Sequence, residues 1–184
     1  MEGHSHRQDQ VLIPQDLAES FQPIVGYAVT LRPLRREDAD IETAFLTGLS
    51  RETRASRLLG GAIRITREYI ERLTTVDYSR DMALAATVML EGHETLIGVA
   101  RYALDADGEA CEFAIVIADA WQGRGIGGRL LRKLIAVAQA RGIKCIYGDV
   151  LATNRGMIEL TRKLGFAIGP HPEDSTLIRA RLWL

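Results

Sequence analysis

The strongest pattern in the chain runs from Gly127 to Arg141. There Leu130, Leu131, Leu134, Ile135 and Ala138 recur at helical spacing, while Arg129, Arg132 and Lys133 fall on the other side. This predicts an amphipathic helix lying on a core, with Gly142 as its stop. Three apolar β-type runs precede it, Met82 to Leu90, Leu96 to Leu104 and Cys111 to Ala118. The turn-like segments Glu91-Gly92-His93-Glu94 and Asp105-Ala106-Asp107-Gly108 separate them. Connections this short join antiparallel neighbours, so the three runs form a meander.

The first third reads differently. Tyr27 to Arg32 has the β-branched content and alternation of a strand ended by Pro33. Arg36 to Leu49, Glu52 to Leu59 and Thr66 to Val76 carry helical periodicity, with Glu37 and Asp38 where a helix start favours acids and Gly60-Gly61 as a stop. Beyond the long helix, Lys144 to Leu151 is a strand, Asn154 to Leu164 a helix closed by Gly165, and Thr176 to Leu184 a last strand. The order βααα-βββ-α-β-α-β predicts a mixed α/β (α+β) domain over residues 26–184. Residues 1–25 are polar or only sparsely apolar and read as an N-terminal arm that is ordered only where it docks. His4 and His6 within it carry no metal pattern.

Composition narrows the function. With 23 basic against 24 acidic residues among 184, the chain has no large basic field, which argues against sequence-independent nucleic-acid binding. No run approaches the roughly 20 apolar residues of a membrane span, and no signal-peptide core is present, so a cytoplasmic location is expected. Cys111 and Cys145 sit in apolar runs without metal spacing and read as buried free thiols, with no metal site expected.

The informative chemistry lies in Ile115 to Leu131, IVIADAWQGRGIGGRLL, a strand, a polar turn, glycines and a helix. Glycines let a ligand approach the backbone, and first-turn N–H groups without helical partners suit a phosphate. Two ligand classes fit. Gly123-Arg124-Gly125-Ile126-Gly127-Gly128 satisfies the dinucleotide pattern G-x-G-x-x-G, with Asp149 about 20 residues on as a ribose ligand. That fingerprint belongs after the first strand of a parallel βαβαβ unit, whereas here a meander precedes it. Gln122 to Gly127 also matches Q/R-x-x-G-x-G/A, an acyl-CoA loop.

Together with Arg32-Pro33, the strand Ile115 to Ile117, Asn154 and the Lys163-Leu164-Gly165-Phe166 helix ending, this loop resembles the GCN5-related N-acetyltransferase (GNAT) superfamily across about residues 27–184. The segments LRPLRREDAD, CEFAIVIADAWQGRGIGGRLL and VLATNRGMIELTRKLGF are most similar to the bacterial Pat-type protein lysine acetyltransferases. The resemblance implies a mostly antiparallel central sheet with helices on both faces. It implies acetyl-CoA as co-substrate, held by Ile115, Val116, Ile117, Gln122, Gly123, Arg124, Gly125, Ile126, Gly127, Gly128 and Asn154, with Arg124 and Arg129 as added charge for the phosphates. The acceptor it implies is a protein lysine, plausibly on an acyl-CoA synthetase. A small-molecule amine and a non-catalytic acyl-CoA sensor are the alternatives.

Acyl transfer to an amine needs a base, because an ammonium has no lone pair. Glu112 stands in an otherwise apolar strand and matches the glutamate base of the Pat-like enzymes; Asp149 is the second candidate. Where many superfamily members carry a tyrosine acid, this chain has Thr161, so the leaving thiolate draws its proton from solvent or departs as the anion. Direct transfer is expected over a cysteine acyl-enzyme. His93 and His171 read as surface residues. Arg51, Arg54, Arg57, Arg64 and Arg67 line the segments expected to shape the acceptor side and could attract an acidic surface.

Overall fold

The run from Met82 to Val88, apolar but for Thr87, is buried on both faces, and the computed structural model shows by what. Its structure describes residues 17–61 and 64–184; the first 16 residues of the expected arm, with His4 and His6, lie outside the described residues. Along the chain come β1 (Glu19–Ile24), β2 (Tyr27–Pro33), α1 (Ala39–Gly48), α2 (Arg51–Arg57), α3 (Arg67–Thr74), β3 (Met82–Leu90), β4 (His93–Leu104), β5 (Ala110–Ile117), α4 (Ile126–Ala140), β6 (Cys145–Leu151), α5 (Arg155–Lys163), β7 (Ala167–Pro170) and β8 (Leu177–Trp183). They build an eight-stranded sheet in the order β1-β2-β3-β4-β5-β6-β8-β7. All neighbours are antiparallel except β5 and β6, which are parallel and joined through α4.

Alternation along β3 sends Met82, Leu84, Ala86 and Val88 into one core with Leu130, Leu131 and Leu134 of α4. Ala83 and Ala85 face the other core, with Phe45 and Leu46 of α1 and Ile70 of α3. Helices thus cover both faces, and the expected meander is β3-β4-β5. Arg32 of the Arg32-Pro33 pair is buried, giving Nη1 and Nη2 to the two Asp38 carboxylate oxygens at 2.7 Å each and Nε to Glu94 at 2.9 Å. Asp38 also accepts from the Arg35 N–H, so this pair locks β2 to the start of α1.

The parallel pairing of β5 with β6 covers only Ala110↔Cys145 to Glu112↔Tyr147. Past that point β5 runs on to Ile117 and β6 to Leu151 without pairing each other, so the sheet splits at Glu112. Gly148 borders the split: a Cβ there would stand 2.6 Å from the Phe113 ring, which packs edge-on against Phe166 at 5.4 Å. Phe166 follows Gly165, whose positive φ of 88° ends α5 and turns the chain inward. The Lys-Leu-Gly-Phe ending therefore delivers a ring to the floor of the split.

Two strands differ from the sequence expectation. β1 occupies the end of the supposed arm and pairs antiparallel with β2, tied to α4 by Lys133 Nζ on Glu19 at 2.9 Å and the Arg129 guanidinium over Phe21 at 4.3 Å. Pro23 is tolerated within it because β1 is an edge and its register shifts there. β7 is four residues long, an edge strand ended by Pro170.

Candidate active site

The split opens into a cleft of about 630 Å³ walled by β5, β6 and the starts of α4 and α5. Residues Glu112, Ile115, Val116, Ile117, Gln122, Gly123, Gly125, Ile126, Gly127, Gly128, Asp149 and Asn154 line it, so sequence-distant candidates converge on one surface. Backbone groups on the β6 side of β5 beyond Glu112 lack a strand partner, an edge suited to an extended amide-bearing chain.

At the head of the cleft, Gly123 and Gly125 adopt φ of 71° and 78°, the left-handed region that L side chains enter at a cost of roughly 1–2 kcal/mol. Gly125 caps α4 without a side-chain bond, and the first turn of α4 contains no acid. Unpartnered N–H groups and the positive end of a 15-residue helix dipole thus meet solvent together, the arrangement that fits a pyrophosphate.

Polar tethers hold this loop. Asp119 accepts from the Ser50 N–H (2.9 Å), Ser50 Oγ (2.7 Å) and Thr53 Oγ1 (2.7 Å), and these donors, the Ser50 N–H first, pull its carboxyl down to about 2. Gln122 donates from Nε2 to the Ile117 carbonyl at 3.0 Å and to Thr53 Oγ1 at 3.1 Å. The glutamine of the loop motif therefore closes the turn back onto β5. Arg124, expected beside the phosphates, is not in the cleft wall; its guanidinium lies over Trp121, 5.4 Å from the ring centroid. Arg129 is likewise engaged, by Phe21.

Glu112 stands where the strands part, exposed to the cleft. Lost hydration and then the nearby Asp149 carboxylate raise its pKa above the ordinary glutamate value. Asp149 has the opposite character. Its oxygens accept from Arg179 Nε at 2.7 Å and Nη2 at 2.8 Å, and Oδ2 lies 3.2 Å from His171 Nε2. These bonds, Arg179 foremost, lower its pKa, making it a poorer proton acceptor than Glu112.

His171 corrects the surface reading made for it: its side chain is 13% exposed inside this network. Nδ1 accepts from the Glu173 and Asp174 N–H groups at 3.2 and 3.0 Å, while Nε2 lies 3.1 Å from Arg179 Nη2 and 3.2 Å from Asp149 Oδ2. His93 is exposed, as expected. Arg179 and His171 escaped the sequence reading because their link to Asp149 spans three strands with no local motif.

Thr161 is fully buried and donates to the Met157 and Ile158 carbonyls at 3.0 Å each, so its hydroxyl is not presented to the cleft. Asn154 caps α5 by accepting from the Met157 N–H at 3.1 Å while lining the cleft, which leaves its amide N–H groups free to donate. Cys111 and Cys145 are buried free thiols, and burial pushes Cys111 up to about 12. Among the described residues no group of three or more His, Cys, Asp or Glu side chains could hold a metal ion, and no helix is long and apolar enough to cross a membrane.

Residues 55–166 match the Acetyltransferase (GNAT) family. The chain is 38% identical over 159 residues to Acetyltransferase PA5475 of Pseudomonas aeruginosa, covering 86% of each. The GNAT domain of S. lividans PAT superposes with a TM-score of 0.80 at 27% identity, over 94% of this chain and 99% of that one. The fold is also that of yncA from Salmonella typhimurium, solved with its cofactor acetyl-CoA (TM-score 0.65, 21% identity, 85% and 94% covered). A split sheet, a glycine nest at a helix start and a carboxylate at the fork thus coincide with the family match: the chain belongs to the GNAT family and is an acetyl-CoA-dependent acetyltransferase.

Proposed function

We propose that this protein transfers the acetyl group of acetyl-CoA to a lysine side chain of a protein, with an AMP-forming acyl-CoA synthetase as the first acceptor to try. The observation that carries this reading is the 27% identity to the GNAT domain of S. lividans PAT over nearly the whole of both chains. A cytoplasmic location accords with two buried free thiols.

In this reading the unpaired β6-side edge of β5 holds the pantetheine amides and the start of α4 holds the pyrophosphate. Glu112, directly or through water, takes a proton from the lysine ammonium. The freed lone pair attacks the thioester carbonyl, a C–N bond forms and the C–S bond breaks, and the attacking nitrogen gives its second proton to solvent as the neutral amide forms. The thiolate leaves with its electron pair and takes a proton from solvent, since Thr161 is sealed in α5. Asp149, Arg179 and His171 are positioning residues that keep a fixed negative charge near Glu112.

That last role has a direct check. Asp149→Asn removes the negative neighbour and leaves the Arg179 charge uncompensated, and both changes favour the Glu112 carboxylate. The acid limb of the kcat/KM profile should move to lower pH, and an unmoved limb would mean that the two groups do not communicate.

The acceptor is tested by intact-mass measurement of an AMP-forming acetyl-CoA synthetase incubated with this protein and acetyl-CoA. A gain of one acetyl group, absent with Glu112→Gln, is expected. No gain, with acetyl-CoA still raising the Tm, would replace the protein acceptor by a small amine or by acyl-CoA sensing without transfer.

A further inference from the structure

A second cavity, of about 310 Å³, opens beside Glu112 and is lined by Arg57, Arg72 and Arg101 against the acids Asp81 and Glu112. It shares Arg57, Glu112, Phe113 and Ala114 with the acetyl-CoA cleft, so the two spaces meet at Glu112. A cofactor filling the first leaves the second as the approach for the acceptor.

The charges in this cavity are unevenly satisfied. Asp81 is engaged, its Oδ1 accepting from the Leu104 N–H at 3.1 Å. Arg101 reaches the Leu73 carbonyl at 3.3 Å and stands 3.7 Å from Glu42, yet its buried Nε has no partner. Arg72 lies over the Tyr69 ring and pairs with no carboxylate among the described residues. Arg57, half-buried at the junction of the two cavities, makes no hydrogen bond or ion pair among the described residues.

Arg57 and Arg72 both sit in last turns of helices, where a cation is favourable and needs no further explanation if it is solvated. Arg57 differs, because a guanidinium held partly out of water beside a cleft is expected to find an acceptor. Of the other candidate arginines, Arg67 pairs with Glu71, Arg51 and Arg64 are exposed, and Arg54, half-buried like Arg57, lines neither cavity.

Resting on the reading of Glu112 as the acceptor-side base, we propose that the acceptor amine must carry an anionic group, a carboxylate, that Arg57 and Arg72 bind while the amine sits at Glu112. In a protein acceptor this is an Asp or Glu beside the target lysine; in a small acceptor it is the molecule's own carboxylate. The preference is a property of the cavity, independent of acceptor size.

The test compares matched acceptors: peptides with lysine flanked by glutamate or by glutamine, and free lysine against lysinamide. Wild-type kcat/KM should favour the acidic member by about tenfold or more, the scale of one charge-assisted hydrogen bond. Arg57→Met should bring the ratio near one, and Arg57→Lys should restore part of it. Acetyl-CoA raising the Tm of each variant confirms that it is folded.

A wild-type ratio near one overturns the proposal, as does an Arg57→Met variant that loses acetyl-CoA affinity but keeps the ratio. Turnover of small amines alone, with the carboxylate preference intact, removes the protein-lysine reading and leaves this one standing. No turnover of any amine, with acetyl-CoA still bound, overturns both.

Discussion

Glu112→Gln is expected to lower kcat/KM by about 10²- to 10⁴-fold, the usual contribution of a positioned base. The amide keeps the shape of the side chain, and Glu112 is exposed to the cleft, so neither the sheet nor the acetyl-CoA cleft should change. The pH profile gives the sharper signature. In the wild type the acid limb follows Glu112, whose pKa is raised by lost hydration and the Asp149 charge, so activity falls as the pH drops through that value. In the variant this limb should vanish, leaving a rate that climbs with the fraction of free amine toward the ordinary lysine pKa, ~10.4. A variant retaining both the wild-type rate and its acid limb would remove Glu112 from the mechanism.

The largest expected loss of stability comes from Arg32→Met. Arg32 and Asp38 are buried side by side with two 2.7 Å bonds, and removing the guanidinium strands the Asp38 carboxylate between β2 and α1. Breaking a buried pair from one side costs about 3–5 kcal/mol, a large share of the typical 5–15 kcal/mol. A fall in Tm on the order of 10 °C follows for a chain of this length. Glu94→Gln, which removes the half-exposed third partner, should cost about 1 kcal/mol or less. Urea or thermal melts of the two variants should therefore differ several-fold in their effect. Equal losses would show that Arg32 is held by the network as a whole rather than by Asp38.

Much of the architecture is written in short-range patterns. The leucines of α4 repeat with the helix period because one face must meet the sheet, and β3 from Met82 to Val88 is apolar but for Thr87 because helices cover both its sides. Ser50, Thr66 and Asn154 cap the helices that follow them, each accepting an N–H three residues on. The glycine nest before α4 is legible for the same reason: a positive φ is a local demand. β1 and β7 escape such reading because edge strands need pair on only one side and so tolerate the proline and sparse apolar content that ordinarily argue against a strand.

The fold class, the glycine loop and Glu112 as a candidate base are thus legible in the sequence, through local pattern together with the resemblance those residues carry. Other features were decided only by the tertiary structure. Asp149 is ion-paired because β8 brings Arg179 opposite it and the β7–β8 loop brings His171. Thr161 is withdrawn from the cleft by its rotation on α5, and Arg124 by the place of Trp121. Arg57 meets Glu112 from the end of a helix 55 positions earlier. Partnership between charged groups depends on distance in space and on exclusion of water, and neither is encoded in the spacing of residues along a chain.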